Sequence, residues 1–275
     1  MSPPTAFGQG VELERLAAND TLDLCIASVR SSRGARGGAV ASRAEIGVQV
    51  GGELWQRGHR GGAHRYGPGT VHLLSKGEAY AMRYRAENDH VQIVWFSLDV
   101  DRLFGVDEDR DLWFTDGRPL TDPVLLDVAR DVLRARQAGR DVDPNWHRAV
   151  VERARPLLAL SRRSAVVRVR RELEAHPERE LYLEHLAELA EMHPSSLVRA
   201  FRRRYGVSPV QFRTRTRLNA ASRAAWAEPE RPVRDIADEH GFSNLSYFYR
   251  QFGRYFGTTP ARHRRNVVDG RRVAF

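Results

Sequence analysis

Cysteine, lysine and methionine are nearly absent: one, one and three of them in 275 residues. A lone cysteine, Cys25, excludes a disulfide framework within the chain and any cysteine metal site. Set in the apolar run Leu22 to Val29, it reads as a small buried hydrophobe. No apolar run approaches the ~18 residues of a membrane span, and no basic-then-apolar leader opens the sequence. The chain therefore reads as cytoplasmic, with no membrane partner. Lys76 is the sole lysine among 44 basic residues, so the net charge of +9 is carried by arginine.

What the chain does contain is a repeat. Phe201-Arg202-Arg203-Arg204-Tyr205-Gly206-Val207-Ser208-Pro209 returns 51 residues later as Phe252-Gly253-Arg254-Tyr255-Phe256-Gly257-Thr258-Thr259-Pro260, matching at the Phe, an Arg, the Gly and the Pro. Upstream, Leu186-Ala187 pairs with Ile236-Ala237 after a one-residue difference in the turn. A repeat this long points to a duplicated structural unit.

Each copy reads as two helices. In the first, Leu186, Ala187 and Ala190 form the apolar face of a short helix, and His193-Pro194 opens the second, with proline where its missing N–H costs nothing. Leu197, Ala200, Phe201 and Tyr205 share the inward face of that helix, and Ser195, Val198, Arg199 and Arg202 the outward one. In the second copy Gly241 makes the turn, Ser243 is the expected N-cap, and Phe248, Phe252 and Phe256 face inward. Leu245, Ser246, Tyr249 and Arg250 are left outside. Small polar residues and an arginine on the outer face of a second helix suit a DNA major groove, where Arg contacts guanine bidentately. Ser196, Arg203 and Asn244 complete the candidate contacts. Between the copies Ser208-Pro209 starts a helix with no breaker until Pro229, a rod of ~28 Å at ~1.5 Å per residue.

The stretch from about Val166 to Arg265 strongly resembles the DNA-binding domain of the AraC/XylS family of bacterial transcription regulators. The resemblance is carried by Gly241-Phe242-Ser243-Asn244-Leu245-Ser246-Tyr247-Phe248-Tyr249-Arg250-Gln251-Phe252 and by Phe256-Gly257-Thr258-Thr259-Pro260. Tyr182 and His193 stand where the family usually has a Ser or Thr cap. Charge divides the same way: residues 162–275 hold 23 arginines against 13 acids, and residues 1–161 hold 21 basic residues against 22 acids. Phosphate binding requires positive charge in the half that carries the repeat.

The N-terminal half alternates short apolar runs with turns. Strands are expected at Leu22–Val29, Glu45–Val50, Glu53–His59, Thr70–Ser75, Ala79–Arg85 and Val91–Leu98, and helices at about Pro123–Gln137 and Pro144–Arg162. This order resembles the family's cupin-like effector domain. His59, His64, His72 and His90 read as surface or pocket-wall histidines, because the His-x-His pair of metal-binding cupins is missing. Trp55, His72, Tyr80, Tyr84 and Trp95 are the candidate effector-pocket residues.

The expected architecture is α+β. A mobile arm (1–20, its first ten residues rich in Pro and Gly) precedes a cupin-like small β-barrel (21–120), dimerisation helices and linker (121–164) and an all-α DNA-binding domain (165–267) with two helix-turn-helix units joined by a long helix. The apolar stripe Val124, Leu125, Val128, Val132 and Leu133 is expected to dimerise. The expected function is a sequence-specific, effector-responsive transcription regulator that is not an enzyme and uses no cofactor. Promoter DNA, a small-molecule effector and a second copy of the chain are the expected partners. The resemblance further implies activation and RNA polymerase. The alternative is a metal-dependent cupin enzyme fused to a DNA-binding domain.

Overall fold

The computed structural model describes residues 11–29, 36–58, 63–85, 91–107, 109–115, 117–228, 230–263 and 273–274. His59, His90 and the first ten residues of the expected arm lie outside these. The remainder of that arm is not an arm: Val11–Ala18 forms a strand, β1, paired antiparallel with β2 (Leu22–Val29). Then come β3 (Arg36–Val40), β4 (Ala44–Gly51), β5 (Glu53–Gly58), β6 (Ala63–Tyr66), β7 (Thr70–Leu74), β8 (Ala79–Arg85) and β9 (Val91–Leu98). With β10 (Leu112–Phe114), β11 (Leu120–Thr121), β12 (Leu158–Leu160) and β13 (Val273–Ala274), they make an antiparallel seven-stranded sheet, β11-β7-β4-β9-β2-β1-β13, a four-stranded sheet, β3-β8-β5-β6, and the small pair β10-β12.

The large sheet is buried on both faces, which is why its central strands read as continuous apolar runs instead of alternating ones. From β9, Val91, Ile93 and Trp95 pack toward the small sheet, joining Leu54, Tyr66, Tyr80, Met82 and Tyr84. Val94, Phe96 and Leu98 point the opposite way, onto helices α2 (Pro123–Gln137) and α3 (Trp146–Ala154), which follow the short α1 (Val100–Phe104). Asp122 caps α2 by accepting from the Leu125 N–H at 3.1 Å, and Arg153 of α3 pairs with it at 2.7 Å.

That packing corrects the expected dimer stripe. Leu125 and Val132 are fully buried, and Ala129 and Leu133 beside them, all against the chain's own sheet. Only Val124, 43% exposed, stands clear. The second helix ends eight residues early, at Ala154 instead of Arg162, because Pro156 cannot continue it; Leu158–Leu160 then pairs with β10.

The C-terminal half is helical: α4 (Ala165–Ala175), α5 (Leu183–Leu189), α6 (Pro194–Tyr205), α7 (Pro209–Ala227), α8 (Val233–Glu239) and α9 (Leu245–Phe256). The 19-residue α7 begins with a complete capping box between Ser208 and Gln211. Its Phe212 packs with the first helical pair, and its Leu218, Ala221 and Ala225 with the second. One rod is thus shared by two cores.

Candidate nucleic-acid interface

The two helical pairs are built alike. In α6, Leu197, Phe201 and Tyr205 are fully buried at i, i+4, i+8, over Leu186 and Ala187 of α5. In α9, Phe248, Phe252 and Phe256 repeat that spacing over Ile236 and Ala237 of α8, with ring centres of successive phenylalanines 5.4 and 4.4 Å apart. Each helix ends at a glycine in the left-handed region, Gly206 (φ 79°) and Gly257 (φ 69°).

The turn inside each pair also needs a left-handed residue, and the copies meet the need differently. The second uses Gly241 (φ 78°); the first places Glu191 there at φ 53°. A Cβ on Gly241 would lie 2.8 Å from Cζ of Arg217 and 3.0 Å from the carbonyl oxygen of Glu178. Gly241→Ala is therefore expected to destabilise by about 1–3 kcal/mol, from backbone strain and displacement of Arg217, as read by urea unfolding of the full chain. A loss below about 0.5 kcal/mol would mean that the turn relaxes freely.

Capping differs from expectation in one place. Asn244, not Ser243, caps α9: its side chain accepts from the Tyr247 N–H at 2.8 Å, which commits that oxygen within the protein. His193 does cap α6, accepting from the Ser195 N–H at 3.3 Å, whereas Tyr182 makes no side-chain cap.

The outward faces lie open. Ser195, Arg199, Arg202 and Arg203 of α6 are exposed, with Ser196 and Val198 half-buried between them. Around α9, Asn244, Ser246, Tyr249 and Arg250 are exposed, while Leu245 leans into the core of its own unit. Arg199 donates to the Ser196 hydroxyl at 3.2 Å, and Arg250 lies over the Tyr247 ring at 5.4 Å. Among the described residues none of Arg199, Arg202, Arg203 and Arg250 has a carboxylate within ion-pair distance.

The arginines facing the N-terminal half behave in the opposite way. Arg170 of α4, with no exposure, donates to Asp111 at 2.7 Å and to Glu174. Burial works against its charge, but these two carboxylates hold its pKa well above the ordinary value. Asp111 also accepts from the Tyr205 hydroxyl at 3.0 Å, and Arg204 sits 4.1 Å over the Trp113 ring. On α9 the Tyr255 hydroxyl accepts from the Val40 N–H at 3.2 Å. Arg204 and Tyr255 are 51 positions apart, so equivalent places in the repeat tie both outward-facing helices to the N-terminal half. Arg217 of α7 braces the C-terminal half from within, donating to the carbonyls of Pro177, Glu178, Arg179 and Gly241.

The five candidate effector-pocket residues do not form one lining. His72 is fully buried, stacked on Tyr66 with ring centres 3.9 Å apart and edge-on to Trp95 at 5.6 Å. Its Nδ1 lies 3.3 Å from Gln56 Oε1, its Nε2 has no hydrogen-bond partner among the described residues, and burial lowers its pKa to about 3, so it is neutral. Trp95 lies directly on Gly47, where a Cβ would come within 2.7 Å of the indole, so these side chains fill the space between the sheets. Tyr80 and Tyr84 are buried with them. Trp55 instead is 41% exposed and borders, with Tyr84, an open hollow of about 720 Å³ on the small sheet. His64 is half-buried on β6, and among the described residues no group of three or more His, Cys, Asp or Glu could hold a metal.

A duplicated two-helix unit on a shared rod, with arginines on both outer faces that have no carboxylate partner among the described residues, has the architecture of paired helix-turn-helix units. Residues 186–266 match a family described as a helix-turn-helix domain. The chain is 32% identical over 91 residues to an uncharacterised HTH-type transcriptional regulator of Haemophilus influenzae, spanning 33% of this chain but only 30% of that protein's length. It is 31% identical over 106 residues to XylDLEGF operon transcriptional activator 2 of Pseudomonas putida, covering 36% of this chain and 67% of that one. ToxT of Vibrio cholerae is similar across 90% of this chain and 99% of its own, with a TM-score of 0.64 at 9% identity, a likeness of fold alone. The chain belongs to the AraC/XylS family.

Proposed function

We propose that the protein is an effector-responsive transcription activator that reads two successive major grooves, α6 entering one and α9 the other. The observation that carries this is the pair of equivalent, solvent-open helical faces whose arginines have no carboxylate partner among the described residues. A rod of ~28 Å between the units is close to the ~34 Å repeat of B-DNA. The sequence similarity to a named activator supports the sign of regulation, with RNA polymerase as a partner. In this reading the protein works as a cytoplasmic homodimer, the N-terminal half senses a small molecule, and no turnover is involved.

Selection of bound fragments from a random DNA pool with the full-length protein tests it. The expected product is a site with two short conserved blocks, bound with an affinity that falls steeply as salt rises, because phosphate-bound counterions are released. Recovery of no consensus at all would overturn sequence-specific regulation.

A further inference from the structure

The outer face of the four-stranded sheet is open, and its side chains follow the strand register. Across β8, β5 and β6 one row reads Arg83, Trp55, Arg65, and the next reads Ala81, Arg57, Ala63. All six are exposed. Small alanines on both sides of Arg57, next to a large indole, leave the open hollow of about 720 Å³. None of its lining comes from the C-terminal helices; the seam between the halves meets this sheet at β3, where α7 and α9 pack.

The charges on this face are not equivalent. Arg65 is engaged by Glu53. Arg57 and Arg83, which both line the hollow, have neither an ion pair nor a hydrogen bond among the described residues, and no described ring or guanidinium covers the Trp55 indole. The two arginines stand at diagonal positions of the β5 and β8 pair, about 7–8 Å apart at the backbone, within reach of a common ligand. Two cations held this close without a counter-charge repel each other. A dianion between them removes that repulsion: a carboxylate supplies a single charge, whereas a phosphate monoester carries about −1.5 to −2 at pH 7.

We propose that this hollow binds a nucleoside monophosphate, with its base stacked on Trp55 and its phosphate between Arg57 and Arg83. An aromatic side chain on the open face of an antiparallel sheet is a platform for a base, and arginine forks grip phosphate oxygens in pairs. The volume lies inside the range of small-molecule sites, roughly 300–1,000 Å³. Among the described residues Trp55 is the only large aromatic residue exposed on this sheet, so one base is held and not a strand of several. A second copy of the chain is the wrong occupant, because a two-fold contact sets these arginines against their own copies. Binding here is independent of whether the N-terminal half controls DNA binding.

Calorimetric titration of the full-length protein with AMP, GMP, adenosine, ribose phosphate and inorganic phosphate tests the site. AMP or GMP is expected to bind saturably, with adenosine, ribose phosphate and inorganic phosphate each at least about 10-fold weaker, since each keeps only part of the contact. Trp55→Leu should weaken the nucleotide by about 5- to 100-fold, the worth of one stacked base, and Arg57→Gln or Arg83→Gln by about 10-fold each. All three side chains are exposed, so the variants keep the fold. Arg199→Ala, on the outward face of α6, should change nothing. No saturable binding of either nucleotide, binding that survives Trp55→Leu or the arginine variants, equal binding of inorganic phosphate, or loss in Arg199→Ala would overturn the site. An octathymidylate whose binding depends on Trp55, while neither mononucleotide binds, would assign the face to a single strand and overturn the proposal likewise.

Discussion

Replacing Asp111 with alanine is expected to cost about 3–5 kcal/mol of folding stability, because it strands a buried charge. Arg170 is fully buried and keeps only Glu174, itself 25% exposed, while the Tyr205 hydroxyl loses its acceptor and Arg204 a neighbouring carboxylate. A second variant separates the pair from the packing. Asp111→Ala combined with Arg170→Met removes both charges, and replacing a buried ion pair by a hydrophobe of similar size is often neutral, so most of the loss should be recovered. Urea midpoints of wild type, single and double variants check this. A single-variant cost below about 1 kcal/mol would mean that water reaches Arg170 and the seam is loose.

Leu125→Glu is expected to unfold the N-terminal half, not to release folded monomers. Removing a fully buried leucine forfeits about 1.5–3 kcal/mol of burial, and placing a carboxyl between α2 and the sheet adds a desolvation cost of similar size or larger. Together these rival the whole stability of a typical domain, about 5–15 kcal/mol. Loss of the near-ultraviolet circular dichroism signal is the readout. A folded variant that sediments as a monomer, from a wild type that does not, would instead place this face against a second copy.

The helices of the duplicated unit were legible because each obeys local rules strongly: Pro at the first helical position of α6 and α7, glycine past the end of α6 and α9, and a buried residue every four positions. Pro209–Ala227 and Pro123–Gln137 match the structure at both ends for this reason. β1, β3, β6 and the pair β10-β12 were not legible, since strands that are polar, glycine-rich or only three residues long are defined by their partners more than by themselves. The stripe on α2 was seen, but its partner was misjudged: periodicity says that a face is buried, not by what.

The ties between the halves left one trace. Arg170 falls at the i+4 place of the stripe Val166, Val169, Arg170, Leu173, and a charge on a buried stripe needs a partner. Nothing in sequence names Asp111, 59 residues away, as that partner. Likewise Trp55 and Trp95 look equivalent as aromatic residues on strands, and only the register, which sets Trp95 over Gly47 and turns Trp55 to solvent, separates them.

The central claim is that two equivalent helix faces read DNA from one rod, and binding profiles of Arg199→Ala and Arg250→Ala across singly substituted operators test it most directly. Each variant should lose about 1–3 kcal/mol and relax base preference in one short block only, the two blocks lying about one helical turn, ~10–10.5 base pairs, apart. Uniform weakening over every sequence, or blocks on opposite faces of the duplex, would contradict it.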